Sequence, residues 1–269
     1  MDFLSGFLMQ LLSTAGIIFL FGWIIALLRH GFCRVTGRGG PVILLITGII
    51  GTPIHELSHA LMCLIFGHKI TDMQLYDPSA EDGTLGYVSH TYRKRNVYHQ
   101  IGNFFIGVAP VLLGGIVIIL LLALFLPDAF DAISSEIDSL CASDIASFPV
   151  LEFFSFVGTA IAAIFSGESL AVWQGWVFII LALTISTHME MSGADIKSGL
   201  RGLAFLLVVM LAANGLIYLI SPVAFSAITA SIVSFGLALA AILSISALFL
   251  MLLLVIALII HGIIRIFAR

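Results

Sequence analysis

The sequence predicts an all-α polytopic membrane protein with about six transmembrane helices and one small cytoplasmic β-hairpin or extended loop. Three observations predict it. Hydrophobic residues fill 61% of the 269 positions and charged residues only 10%. Mean hydropathy is +1.19, which excludes an ordinary soluble domain. Apolar stretches of the ~20 residues needed for a helical crossing recur along the chain. Residues 1–269 therefore read as a single membrane domain whose main partner is the lipid bilayer. The net charge of -4 provides no basic surface, and no nucleic acid is expected as a partner.

The first apolar stretch, 7–28, is long enough to cross once. No basic segment precedes it and no small-residue cleavage site follows, so it reads as retained rather than removed as a signal peptide. Arg29, His30, Arg34 and Arg38 follow, closed by Gly39-Gly40-Pro41, and Pro41 suits the first turn of a new helix. That second crossing, about 42–66, contains Pro53. A proline there removes a helical hydrogen bond and clashes with the turn before it, so a kink or break is expected just ahead of His55.

Residues 67–102 are expected to form a cytoplasmic loop. Met73 to Tyr76 and Leu85 to Tyr92 alternate apolar and polar around Asp77-Pro78 and Glu81-Asp82-Gly83, the pattern of a hairpin. His68, His90 and His99 read as surface residues, since no two of them stand at metal-binding spacing. Arg93-Lys94-Arg95 read as a solvated charge run. The third crossing, about 103–126, opens on Gly107-Val-Ala-Pro110, whose small residues permit close helix packing.

Residues 127–168 form an acidic extracytoplasmic segment holding Asp128, Asp131, Glu136, Asp138, Asp144, Glu152 and Glu168 without one Lys or Arg. Within it, 149–166 reads as an interfacial or re-entrant helix, because Glu152 and the short length argue against a full crossing. Trp173 and Trp176 mark a membrane boundary for a fourth crossing ending near Thr187. Stretches 202–220 and 229–263 complete the six. With a cytoplasmic N-terminus, Lys69, Arg93, Lys94, Arg95, Lys197, Arg201, Arg265 and Arg269 lie inside, and Arg29, Arg34 and Arg38 outside. Eight against three favours N-in, C-in in the cell membrane.

The chemistry is concentrated in His55-Glu56-Leu57-Ser58-His59. On a helix His55 and His59 share one face one turn apart, so two imidazole nitrogens can meet one zinc ion. Glu56 stands beside them as a base, placed to take a proton from water whose pKa the ion lowers toward ~7. Ionisable groups cost about 2.5 to 3.5 kcal/mol or more each at bilayer depth, and three within five residues call for a compensating role. At ~1.5 Å per residue His59 lies about 10 Å inside the helix end near Phe66, so the site is sunk toward the cytoplasmic side. A catalytic zinc usually takes three protein ligands. The second buried polar cluster, Ser186 to Asp195, offers His188, Glu190 and Asp195. His188 and Asp195 share a face if that helix is continuous, whereas a break at Ser192-Gly193 tips the Asp195 carboxylate toward the ion. Cys33, Cys63 and Cys141 are too scattered for a disulfide framework and read as packing residues, Cys63 included although it follows His59 by one turn.

These residues together resemble the site-2 protease family of intramembrane zinc metalloproteases. The features that carry the resemblance are His55-Glu56-Leu57-Ser58-His59 in a membrane helix, a hairpin-like loop after it, Gly107-Val-Ala-Pro110 opening the next crossing, and a buried aspartate later. The resemblance covers roughly 42–200, a protease-like core. It implies His55 and His59 as zinc ligands, Glu56 as the catalytic base and Asp195 as third ligand, with His188 as substitute ligand or as a group that orients one. Asp195 is flanked by Ala194 and Ile196, so the family's Leu-Asp-Gly is absent, as is the proline of its usual lead-in. No PDZ-like insert is visible, as in compact members. The implied reaction is hydrolysis of a peptide bond in or near a transmembrane segment of a membrane-protein substrate. The alternatives are a metal-binding membrane carrier and a catalytically inactive scaffold.

Overall fold

The computed structural model describes residues 1–80, 83–142 and 149–267. The expected turn residues Glu81 and Asp82, the acidic Asp144 and the terminal Arg269 lie outside the described residues. In chain order the elements are α1 (Phe3–Leu11), a π turn (Leu12–Gly16), α2 (Ile17–Thr36), α3 (Gly39–Ile65), β1 (Lys69–Gln74), β2 (Tyr87–Thr91), α4 (Val97–Phe125), α5 (Pro127–Ala142), α6 (Val150–Ile164), α7 (Gly167–Ala171), α8 (Trp173–Ser186), α9 (Gly193–Ile220) and α10 (Pro222–Phe267). Among the described residues, six helical segments are long and apolar enough to cross a membrane: Phe3–Thr36, Gly39–Ile65, Val97–Phe125, Val150–Ala171, Gly193–Ile220 and Pro222–Phe267. The chain is an all-α integral membrane protein with one two-stranded sheet.

The count of six matches the sequence reading, but its membership differs. The interfacial helix expected over 149–166 belongs to a 22-residue apolar segment, Val150–Ala171. Glu152 sits in the first turn of α6, where an exposed carboxylate meets the positive end of the helix dipole, and α7 adds the length that 149–166 lacks. Conversely, the expected fourth crossing is the 14-residue α8, about 21 Å long at ~1.5 Å per residue and too short alone for a ~30 Å hydrocarbon layer. Nor does α3 break at Pro53: it runs as one helix from Gly39 to Ile65.

Among the described residues, α4 is the axis of the bundle. It packs against α9, α3, α8, α5, α10 and α2, and Val108, Ala109, Val111, Ile118 and Leu122 on it are buried. Outward-facing α9 instead exposes Val208, Leu211, Leu216 and Leu219, as suits a helix solvated by lipid. The α4/α9 contact is close because it is made of backbone. A Cβ on Gly202 would overlap the Phe104 amide nitrogen and come within 2.9 Å of the Gln100 carbonyl oxygen. Seven residues before it, Asp195 sits where that packing sets it. A second tie holds α9 farther along: the Gln10 side-chain amide donates to Asn214 Oδ1 at 3.0 Å and to Thr229 Oγ1 at 2.8 Å.

The hairpin after α3 does form. β1 and β2 pair antiparallel from Lys69 opposite Thr91 to Gln74 opposite Tyr87, with a bulge between Ile70 and Asp72. It folds back along α3 instead of projecting from its end. The Tyr76 hydroxyl donates to the Leu45 carbonyl at 2.6 Å, and Leu45 is 20 residues, about 30 Å, before the end of α3.

Replacing Gly202 by Val should force α9 off α4, costing about 1 to 3 kcal/mol in overpacking and shifting Asp195. Thermal unfolding in detergent should show a lower midpoint and metal titration a weaker site; wild-type values for both would contradict this placement of α9.

Candidate metal centre

His55 and His59 lie one turn apart on α3, and their Nε2 atoms are 3.1 Å apart. The remaining ring nitrogen of each is engaged. His55 Nδ1 donates to the His188 carbonyl at 2.6 Å, and His59 Nδ1 donates to the Ile106 carbonyl at 2.7 Å. A carbonyl can only accept, so both protons sit on Nδ1 and both Nε2 lone pairs face inward. Two such lone pairs at hydrogen-bond distance repel unless something positive lies between them.

Both carbonyls are free for identifiable reasons. Ile106 lies four residues before Pro110, which has no N–H to bond back to it, while α4 continues through the proline. His188 lies just past α8, in the linker to α9, where its carbonyl has no helical partner. Helix irregularities on two elements thus orient the two rings on a third.

Asp195 supplies the third corner. Its Oδ1 lies 3.5 Å from His59 Nε2, while Oδ2 accepts from the Ser192 amide at 2.9 Å and the Ser192 hydroxyl at 2.6 Å. Ser192 is the N-cap of α9 and Asp195 its third residue, a reciprocal capping box. The cap occupies one carboxylate oxygen and leaves the other for an ion. Two donors about 2.05 Å from a tetrahedral zinc lie about 3.3 Å apart, close to the 3.1 and 3.5 Å seen here. The three ligand atoms all lie within 4.8 Å of one another, and a nitrogen, nitrogen, oxygen set suits zinc. These residues therefore fit the expected ion.

Of the other proposed residues, Glu56 is buried on α3, and a Cβ on Gly86 would press to 2.8 Å from its Cγ. Backbone at the start of β2 thus lies directly against this carboxylate. His188 does not bring its ring to the ligand atoms: Nε2 is 3.0 Å from Thr47 Oγ1 and Nδ1 is 3.3 Å from Thr52 Oγ1. It acts on the centre through its carbonyl. Glu190 is ion-paired with Arg29 of α2, which also removes Arg29 from the open polar link expected after the first crossing. His188 and Asp195 belong to different elements, since α9 starts only at Gly193. His55, Glu56, His59, His188, Glu190 and Asp195 line one cavity of about 780 Å³, together with Thr84 to Val88 and His90 of the hairpin.

The three loop histidines, expected at the surface, are buried at His68 and half-buried at His90 and His99. His68 is buried, its Nδ1 lies 3.0 Å from His90 Nδ1, and its Nε2 donates to the His99 carbonyl at 2.9 Å. Burial lowers the pKa of both His68 and His90 from the usual histidine value. Sequence spacing missed this cluster because the hairpin fold alone brings residues 68 and 90 together.

No family model matches the chain, and neither a curated protein nor a solved structure matches it.

Pro110→Ala should restore an N–H that competes for the Ile106 carbonyl and loosens His59. Loss of such an orienting bond costs 10- to 100-fold in metal affinity, to be read by zinc competition with a chelator; an unchanged affinity would contradict the role given to Pro110.

Proposed function

We propose that this chain is an intramembrane zinc-dependent endopeptidase, a compact member of the site-2 protease family, that hydrolyses a peptide bond in or near a transmembrane segment of a membrane-protein substrate. The observation that carries the reading is the convergence of His55 Nε2, His59 Nε2 and Asp195 Oδ1 beside Glu56, in a cavity lined by α3, the hairpin and the start of α9. His55, His59 and Asp195 would hold zinc. When bound, the ion supplies Lewis acidity to the scissile carbonyl and lowers the pKa of water.

The remaining work falls to the protein. Glu56, next to His55 and outside the ligand set, takes the proton from the attacking water and returns it to the leaving amine. A helical substrate has its backbone bonded to itself and must unwind before its peptide bond can be reached. β2 supports that step, because it lines the cavity and, among the described residues, pairs with β1 alone. An unwound segment can add to its other edge as a third strand, exchanging internal hydrogen bonds for intermolecular ones. Gly86, having no Cβ, lets the hairpin backbone lie close against Glu56.

For orientation we adopt N-in, C-in in the cell membrane, with the centre toward the cytoplasm. Exchanging 173–187 for 150–171 among the crossings leaves every Lys and Arg on the side assigned above, eight inside and three outside.

Glu56→Gln should abolish cleavage of a transmembrane reporter substrate, by at least the ~10²- to 10⁴-fold ascribed to a positioned general base, while zinc stays bound at the His55 site. Chelation should abolish wild-type cleavage and added zinc restore it. Cleavage retained by Glu56→Gln would refute the mechanism.

A further inference from the structure

One turn beyond His59, a second set of metal-ligating groups converges. Cys63 is fully buried on the last turns of α3, His68 sits between α3 and β1, and His90 is on β2. One ligand atom from each lies within 4.8 Å of the others. His68 is held in orientation from three sides: Nε2 donates to the His99 carbonyl at 2.9 Å, and the ring stacks on Tyr92 and on His99, at centroid distances of 4.7 and 5.4 Å. With the proton on Nε2, the Nδ1 lone pair points at His90 Nδ1, 3.0 Å away. A backbone carbonyl behind an imidazole, and an inward lone pair in front, repeat the arrangement of His55 and His59.

We propose that Cys63, His68 and His90 form a second zinc site, distinct in ligand chemistry from the first. One thiolate and two imidazoles are donors for zinc and leave its fourth position to water or a backbone group, whereas magnesium and calcium take oxygen ligands. Binding replaces the Cys63 S–H proton by the metal and releases that proton to solvent. The site joins three successive pieces of chain: the end of α3, the turn after it and the second strand of the hairpin. An ion there clamps the base of the hairpin and sets β2, whose His90 also lines the large cavity, against the helix that carries His55 and His59. The proposal does not depend on proteolysis, since it concerns only which groups hold metal.

Cobalt(II) separates the two centres, because a cobalt–thiolate bond gives an intense near-ultraviolet charge-transfer band and a site made of imidazole and carboxylate does not. Full-length protein stripped of metal in detergent and titrated with cobalt(II) should bind two equivalents and show the band. Cys63→Ser should lose the band and one equivalent. His55→Ala should lose the other equivalent and keep the band. His90→Gln, which leaves the buried thiol in place, should weaken the band-forming site by at least tenfold. Absence of the band in wild type would overturn the proposal and leave a plain His68–His90 hydrogen bond. Persistence of the band in Cys63→Ser would do the same by assigning it to Cys33 or Cys141. Wild-type protein that binds a single equivalent and shows the band would count against the first centre without touching this one.

Discussion

Two imidazoles whose inward nitrogens have nothing to give one another are the constraint from which the rest of this molecule can be understood. His55 and His59 each donate their Nδ1 proton to a backbone carbonyl, so the 3.1 Å between their Nε2 atoms separates two acceptors. In an apolar helix bundle such a pair is costly unless a cation is shared. The fold accepts that cost by design of its backbone: the carbonyls responsible, those of Ile106 and His188, are free because Pro110 lacks an N–H and because α8 has ended.

The third corner depends on another helix end. α9 begins with its N-terminus beside the two histidines, and the Ser192/Asp195 capping box both starts the helix and aims Oδ1 at His59. The glycine contact between α4 and α9 fixes this helix end relative to the Ile106 carbonyl on α4. Three helices thus meet at one point through an internal proline in α4, the end of α8 and the capped start of α9.

Much of this was legible in the sequence, and the limits are physical. The pentad was found from residue type and helical spacing and the hairpin from apolar/polar alternation, which are local properties, whereas spacing left Asp195 open beside His188 and Glu190 and the family resemblance singled it out. The number of crossings was right although α8 and Val150–Ala171 exchanged places. Trp173 and Trp176 look like a boundary for a full span, and Glu152 looks like an obstacle until its position in the first turn of α6 is known. The ring of His188 turned toward Thr47 and Thr52, and Glu190 toward Arg29, because the chain leaves α8 through a turn and a non-helical linker, which helical counting does not anticipate. Cys63, His68 and His90 were read as packing and surface residues since nothing local joins positions 63, 68 and 90. A proline four residues after an available carbonyl is a signal that can be read from sequence, and Ile106 with Pro110 is an instance.

X-ray absorption at the zinc edge tests the central claim most directly, on the Cys63→Ser variant carrying one equivalent of zinc so that a single centre is observed. The account predicts a shell of nitrogen and oxygen atoms at about 2.0 to 2.1 Å with the outer-shell scattering of two imidazoles and no sulfur. Failure to bind zinc, or a shell without imidazole scattering, would contradict it.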